Sequence, residues 1–244
     1  MAVLDLGPSI FVGLDDTDTL DTPGTNQLAR HLVRELAPIA RGRLILRHQL
    51  FEDPRVPCTK KNGCASIELE SLGPAALTDL VARLRDLILD WIPSRSDPGL
   101  AIAESIPPEI ATWGQRAKCE LLTQKEARAL ADAHNIYLEG LAGTQDGVIG
   151  ALAALGLLSS RNDGRVVYLS SPAHDDALDI TGLLDVDTVL ARGIDAVVDC
   201  DTGEPVSSAT IEVGKKLRPN YRAGRILLYA ARRDNGTYEA IRVP

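Results

Sequence analysis

Residues 9–36 read SIFVGLDDTDTLDTPGTNQLARHLVREL, and their pattern decides the fold. The apolar run at 9–14 ends directly in acidic residues, which is typical of a buried strand that leads into a turn. After the turn, apolar residues recur at helical spacing over 26–36, and Pro38 follows the last of them. The stretch therefore predicts a strand, a loop and a helix in that order.

The first half of the chain continues with strand and helix patterns in alternation. Strand patterns cover 43–51 and 64–70, and the loop between them is basic and contains proline and glycine. A helical repeat of apolar residues covers 74–91, and another strand pattern follows at 100–103. We therefore expect a mixed α/β arrangement within the broad α+β class, built from layers of helix and sheet.

The second half combines helices with a series of strands. A short helix led by proline is expected at 107–118, and Thr123 with Glu126 forms a capping-box pattern for a helix that reaches His134. Residues 147–157 are small and apolar on nearly every side, which predicts a buried helix that begins in a glycine-containing loop. Five strand patterns complete the chain, at 165–170, 195–199, 208–213, 225–232 and 237–243.

The composition indicates a globular protein without a general attraction to polyanions. The chain has 244 residues, of which 45% are hydrophobic, and a net charge of -8. Nucleic acid and anionic membranes repel such a chain unless it carries a local basic patch. No basic segment precedes the first apolar run, and no apolar run approaches the roughly eighteen residues of a membrane span. We therefore expect a cytoplasmic protein. Its four cysteines show neither paired metal-ligand spacing nor the density of a disulfide framework, so reduced thiols are expected; Cys58 and Cys64, which flank a lysine-rich turn, stay open as a metal pair.

The acidic turn carries the strongest functional signal. Asp15, Asp16 and Asp18 lie together where the first strand ends and shortly before a helix begins. Crowded carboxylates repel one another unless a cation neutralises them, and Mg²⁺ prefers one or two carboxylates together with water and phosphate oxygens. The amides at the start of a helix can receive the phosphates themselves. The turn therefore predicts a site for Mg²⁺ and a phosphate ester.

Two other interpretations of the turn stay open. Asp and Thr are common turn residues, so the segment is also compatible with a solvated turn in which an aspartate caps the helix. Asp16 and Asp18 also begin the D-x-D-x-[TV] motif of aspartyl-nucleophile phosphatases. Leu20 stands where that motif has Thr or Val, and no clear later acidic pair supports it.

Residues 13–29, GLDDTDTLDTPGTNQLA, resemble the opening of the archaeal tRNA-isoleucine agmatinylcytidine synthetase family, TiaS. The family begins with Gly, an apolar residue and Asp-Asp-Thr-Asp, followed by a Thr and the first helix. Three further stretches keep the family order, at 43–70, 96–99 and 147–156. The matching positions in the opening are Gly13, Asp15, Asp16, Thr17, Asp18 and Thr25.

The resemblance implies a kinase-like α/β domain followed by a ferredoxin-like α+β domain. With a junction predicted near 118–124, these would be residues 1–120 and 121–244. In the family, the enzyme uses ATP to phosphorylate a cytidine carbonyl, agmatine then displaces the phosphate, and the threonine that matches Thr25 is phosphorylated as well. We therefore expect ATP- and Mg²⁺-dependent phosphoryl transfer, or ATP-driven amine ligation, on a small-molecule or nucleoside acceptor.

The expected site combines the acidic turn with a basic loop and a glycine-containing helix start. Asp15, Asp16 and Asp18 would hold Mg²⁺, and Asp16, Asp18 and Thr25 would lie at the transferred group. The loop could equally be a solvated charged turn, and close packing is the other explanation for the glycines. The residues expected to bind ATP are Lys60, Lys61, Asn62, Gly63, Gly147 and Gly150.

The expected partners are a nucleotide and a small molecule, whereas tRNA is not expected. In the family, an OB-fold and a zinc ribbon supply tRNA contacts, and this sequence has no Cys-x-x-Cys pair. Thr144, Gln145 and Asp146 also stand where the family has basic residues. A nucleotide-binding or regulatory module without turnover is the alternative to an enzyme.

Overall fold

The chain divides into two compact units, Met1–Ser160 and Arg161–Pro244. In the part of the chain described by the computed structural model, no helix is long and apolar enough to cross a membrane. The described residues are 8–56, 58, 61–73, 77–171 and 173–243.

The first unit contains an antiparallel sheet with strand order β5-β4-β1-β3-β2. Its strands are β1 (Ser9–Asp15), β2 (Ala40–Arg47), β3 (Ala65–Ser71), β4 (Gly99–Ala103) and β5 (Tyr137–Gly140). Its helices are α1 (Thr25–Glu35), α2 (Leu77–Trp91), α3 (Pro108–Arg116), α4 (Gln124–Ala133) and α5 (Gly147–Ser159). The central strand β1 is flanked by β3 and β4, so its last residue, Asp15, emerges in the middle of the sheet edge.

Helix α5 packs directly against β1 because β1 has a glycine and α5 has alanines where the two elements meet. A Cβ atom on Gly13 would overlap the carbonyl oxygen of Ala151. Helix α1 lies on the opposite face of the sheet, where a Cβ on Gly42 would overlap the side chain of Val33. The sheet therefore has helices on both faces, and the core around α5 also includes α3 and α4.

The second unit is built mainly of strands, as expected. Strand β11 pairs antiparallel with β10 and β12 and parallel with β8. Strand β9 then joins β12 to β7. The elements are β6 (Arg165–Leu169), β7 (Gly182–Asp185), α6 (Val186–Leu190), β8 (Ala196–Asp199), β9 (Thr210–Val213), β10 (Asn220–Arg222), β11 (Arg225–Arg232) and β12 (Tyr238–Ala240).

The structure confirms the mixed α+β class and the layered first half. The capping box of Thr123 and Glu126 is present at the start of α4. The units differ from the predicted division at 118–124, because α4 contacts α5 and β5 extends the sheet beside β4. Residues 124–159 thus belong to the first unit. The ferredoxin-like assignment for 121–244 stays a prediction.

Candidate functional site

The acidic turn begins where β1 meets β4 and α5. Asp15 pairs with Gly99 across the sheet, and its carboxylate lies against the first turn of α5. A Cβ on Gly150 would overlap the Oδ2 atom of Asp15, so only glycine leaves room for this carboxylate. The glycine-containing helix start is therefore a close-packing feature, and that packing places Asp15 at the helix.

A cleft of about 800 Å³ lies over this junction, within the roughly 300–1,000 Å³ typical of small-molecule sites. The cleft collects most of the residues predicted to form the site. Lys60 falls outside the described residues, and Thr25 is not among the lining residues. The predicted residues that line the cleft are Asp15, Asp16, Asp18, Lys61, Asn62, Gly63, Gly147 and Gly150.

Asp97 and Asp146 also line the cleft, and sequence reasoning did not select them as site residues. Asp97 lies two residues before the start of β4, so the pairing of β4 with β1 brings it beside the acidic turn. Its backbone N–H donates to the carbonyl of Asp16 at 3.1 Å. Both aspartates are isolated in the sequence, and the only available signal was the Asp97-Pro98 turn within the stretch that resembles TiaS.

Burial and the repulsion between neighbouring carboxylates raise the pKa values of two carboxyls in the turn. Desolvation, reinforced by the charge of Asp16, raises the pKa of Asp15 to about 8. Desolvation also raises the pKa of Asp16 to about 6, with further contributions from the charges of Asp97, Asp18 and Asp146. Asp16 additionally has a left-handed backbone, with φ of 51°. A bound cation would stabilise the ionised forms of these carboxyls and so lower their pKa values.

The carboxylates of the turn do not form a closed metal cage. Among the described residues, the ligand atoms that approach within 4.8 Å of one another in a group of three belong to Asp199, Cys200 and Asp201. Asp15, Asp16 and Asp18 are therefore more widely spread. Their oxygen donors suit Mg²⁺, which commonly takes one or two carboxylates and completes its shell with water and phosphate oxygens.

Thr25 does not line the cleft, but it is hydrogen-bonded to Asp18, which does. It is the first residue of α1, and Gly24 occupies the N-cap position without a side-chain cap. Thr25 is only 7% exposed, and its hydroxyl accepts from the Thr17 hydroxyl at 3.1 Å and donates to Oδ1 of Asp18 at 3.2 Å. Thr25 thus supports the Asp18 carboxylate from within the protein, and contact with a transferred group stays a prediction.

The remaining lining of the cleft is partly basic and partly apolar. Lys61 and Arg95 are exposed in this lining, and the Asn62 amide donates to the carbonyl of Phe51 at 2.7 Å. Asn62 therefore has a structural role in shaping the loop. The apolar lining consists of Leu20, Leu50, Phe51, Val56, Leu121, Leu122 and Ile149.

The raised pKa values predict that metal-free protein loses stability as the pH increases. A carboxyl with a folded pKa above its unfolded value of 3.8 binds its proton more tightly in the folded state. Its ionisation therefore costs stability between about pH 4 and the folded pKa, which is about 8 for Asp15. In EDTA, we expect the Tm of wild type to fall more steeply from about pH 5 to 8 than the Tm of Asp15→Asn.

Differential scanning calorimetry of both proteins measures this difference, and titrating groups that do not interact with Asp15 cancel in the comparison. Mg²⁺ should raise the wild-type Tm more at about pH 8 than at about pH 5, since the charged carboxylates bind it. Parallel pH profiles for wild type and Asp15→Asn would contradict the electrostatic description of the site.

No protein-family model matches the chain. Over 156 residues, the chain is 28% identical to the isoleucine-tRNA 2-agmatinylcytidine synthetase TiaS of Thermococcus sibiricus, in a match that covers 60% of this chain and 35% of that protein. The corresponding protein of Methanopyrus kandleri is 28% identical over 167 residues, or 65% of this chain and 36% of its own. The chain thus spans about a third of the length of these relatives.

Solved structures share the fold of about three fifths of the chain. TiaS in complex with its isoleucine tRNA and ATP superposes with a TM-score of 0.55 and 22% identity, covering 61% of this chain and 36% of that one. The TiaS complex with the same tRNA, AMPCPP and agmatine superposes with a TM-score of 0.54 over the same shares. These comparisons confirm the resemblance to TiaS for about three fifths of the chain.

Proposed function

We propose that the first unit binds Mg·ATP in the cleft and uses it for phosphoryl transfer or ATP-driven amine ligation on a small-molecule or nucleoside acceptor. One observation carries the proposal: Asp15 and Asp16, two carboxyls with raised pKa values, line a nucleotide-sized cleft beside the first turn of α5. Similarity to known proteins supports it, because two matched relatives are TiaS synthetases and a TiaS structure with a similar fold contains ATP.

Asp16 and Asp18 are the carboxylates that we propose for Mg²⁺, and Asp15, which lines the same cleft, would assist directly or through water. Thr25 would hold the Asp18 carboxylate in place through its hydrogen bond. A magnesium ion supplies charge neutralisation for the phosphate oxygens and orders them. Because phosphoryl transfer depends mainly on positioning and electrostatics, a site of this kind requires no protein nucleophile.

The phosphates would lie between the acidic turn and the start of α5, where the helix dipole favours negative charge. Lys61, which lines the cleft, would contribute positive charge to the phosphates. Lys60, the other predicted phosphate ligand, lies outside the described residues. Protein atoms fill the space that side chains at Gly147 and Gly150 would need, so these glycines would contribute by packing α5 closely against the acidic turn. Phosphorylation of Thr25 itself would require its hydroxyl to leave the bonds to Thr17 and Asp18.

A small acceptor fits the charge of the cleft better than tRNA does. The matched TiaS structures contain an isoleucine tRNA. This chain has a net charge of -8, and Asp97 and Asp146 add negative charge to the cleft itself. Tight tRNA binding would need a basic surface to compensate for this repulsion. We therefore propose a nucleotide and a small molecule as ligands, in a protein that we expect to be cytoplasmic.

ATP turnover by the full chain separates an enzyme from a binding module. We expect Mg²⁺-dependent conversion of ATP that falls about tenfold or more in Asp16→Asn, because the variant loses charge neutralisation at the phosphates. Nucleotide products quantified by ion-exchange chromatography provide the measurement, with Asp132→Asn on the exposed surface of α4 as the matched charge control. ATP binding without conversion above the level of Asp16→Asn would favour the non-catalytic regulatory module.

A further inference from the structure

Asp97 contacts both walls of the cleft at once. Its backbone N–H donates to the carbonyl of Asp16 at 3.1 Å, which ties it to the residue with the left-handed backbone in the acidic turn. Its side chain extends the other way, towards residues 143–146, which lead into α5. The hydroxyl of its neighbour Ser96 donates instead to the carbonyl of Pro93 at 2.8 Å, and the carbonyl of Pro98 accepts from the Leu141 N–H at 2.8 Å. Gln124 also donates to Thr144 and Asp146, but Asp97 is the residue that bonds both this loop and the acidic turn.

The Asp97 carboxylate clamps the loop through both of its oxygens. Oδ2 accepts from the Thr144 hydroxyl at 2.8 Å, and Oδ1 accepts from the backbone N–H of Gln145 at 3.1 Å. Gly143, with φ of 61°, lies so close that a Cβ there would overlap Oδ1. Because φ is positive and the space is filled, both the backbone and the packing require glycine at 143.

The Thr144 hydroxyl has one proton to donate and lies within hydrogen-bond distance of two carboxylates. Its oxygen lies 2.8 Å from Oδ2 of Asp97 and 3.0 Å from Oδ2 of Asp146. A hydroxyl can donate to only one of them at a time. Asparagine at 97 could accept from Gln145 with its oxygen and donate to the Thr144 oxygen with its amide, which would release the hydroxyl proton for Asp146. The hydrogen bonds between residue 97 and the loop therefore require a side chain with the shape of Asp97, but they do not require its charge.

We propose that Asp97 is a positioning residue that couples the two walls of the cleft: it holds the acidic turn through its backbone and the 143–146 loop through its carboxylate. Release of the carboxylate loosens the loop and, through the backbone of Asp97, the turn at Asp16. The consequence for ligand binding rests on the proposed nucleotide site, whereas the coupling itself is a property of the unliganded protein.

Two variants of the full chain test this role. Asp97→Ala removes the clamp, and Asp97→Asn keeps its shape without the charge. In hydrogen exchange without ligand, we expect Asp97→Ala to speed exchange in both 13–19 and 141–150, and Asp97→Asn to match wild type. In Mg·ATP titrations, we expect Asp97→Ala to bind about tenfold more weakly and Asp97→Asn to recover affinity to within about twofold.

Two results would overturn the proposal. Faster exchange of Asp97→Ala in 141–150 alone would show that the clamp does not reach the turn. Equal loss of affinity in Asp97→Asn and Asp97→Ala would show that Asp97 acts through its charge, as a ligand would. If Asp97→Ala does not fold, Thr144→Val takes its place, and it should speed exchange in both segments to a smaller extent. Failure of wild type to bind Mg·ATP would instead contradict the proposed function, and the exchange comparison would still decide the coupling.

Discussion

We expect Mg·ATP binding to disappear from the Asp16→Asn and Asp18→Asn variants while both proteins stay folded. An amide has nearly the shape of a carboxylate but carries no charge, so it cannot neutralise a metal ion. Loss of a coordinating carboxylate should weaken binding by about a hundredfold or more, beyond the roughly 10- to 100-fold typical of residues that only support a ligand. Isothermal titration calorimetry measures the affinity directly.

The same substitutions should leave the metal-free fold intact or make it more stable. Asp16 experiences the charges of Asp97, Asp18 and Asp146, so a neutral side chain at 16 relieves repulsion. Asp132→Asn on α4 makes the same change in net charge at an exposed surface site and should bind like wild type. Unchanged affinity in both turn variants would mean that the acidic turn is not the nucleotide site.

Gly150→Ala should have a comparably large effect on the site, for a steric reason. The added methyl group would overlap the carboxylate of Asp15, and its carbon would lie 3.0 Å from the Asp15 Cβ. Asp15 would have to swing away from α5 or α5 would have to shift, which should cost about 1–3 kcal/mol of unfolding free energy. We expect Mg·ATP affinity to fall by about tenfold or more, because either movement changes the wall that faces the phosphates.

Chemical denaturation and calorimetry on matched variants check this expectation. Gly214→Ala is the control, since a Cβ there meets no atom within 4 Å. The double variant Asp15→Ala with Gly150→Ala removes the overlapping carboxylate and should recover part of the lost stability. A Gly150→Ala protein with wild-type stability and affinity would show that the contact with Asp15 does not constrain the site.

Local patterns made much of the first unit predictable. The apolar run, acidic turn and helical spacing of 9–36 determine β1 and α1 through interactions between near neighbours. The capping box at Thr123 and the uniformly apolar α5 were equally clear signals. Strand β5 was missed because its four residues, Tyr137–Gly140, are too short to show alternation and form a strand only by virtue of pairing with β4.

The site was predictable only where its residues are clustered in the sequence. Asp15, Asp16 and Asp18 stand out as a group, whereas Asp97 and Asp146 join them through the pairing of β4 with β1 and the return of the chain into α5. Contacts of that kind depend on tertiary structure. A single sequence therefore pointed to the acidic turn and left the opposite carboxylates unassigned.

The start of helix α1 was predicted close to its observed position, but the role of Thr25 was not. Thr25 was expected at the transferred group, and a threonine at the start of a helix can also serve as its N-cap. Gly24 holds the N-cap position instead, and the Thr25 hydroxyl is buried between Thr17 and Asp18. The spacing of apolar residues located the helix, but the hydrogen-bond partners of the Thr25 hydroxyl are visible only in the folded structure.

A crystal structure of the full chain with Mg²⁺ and a non-hydrolysable ATP analogue tests the central claim most directly. We predict density for the triphosphate between the acidic turn and the first turn of α5, with the metal on the side of Asp16 and Asp18. The space left beside the γ-phosphate would then delimit the acceptor. A nucleotide bound away from this cleft, with Asp15, Asp16 and Asp18 free of metal and phosphate, would contradict the account.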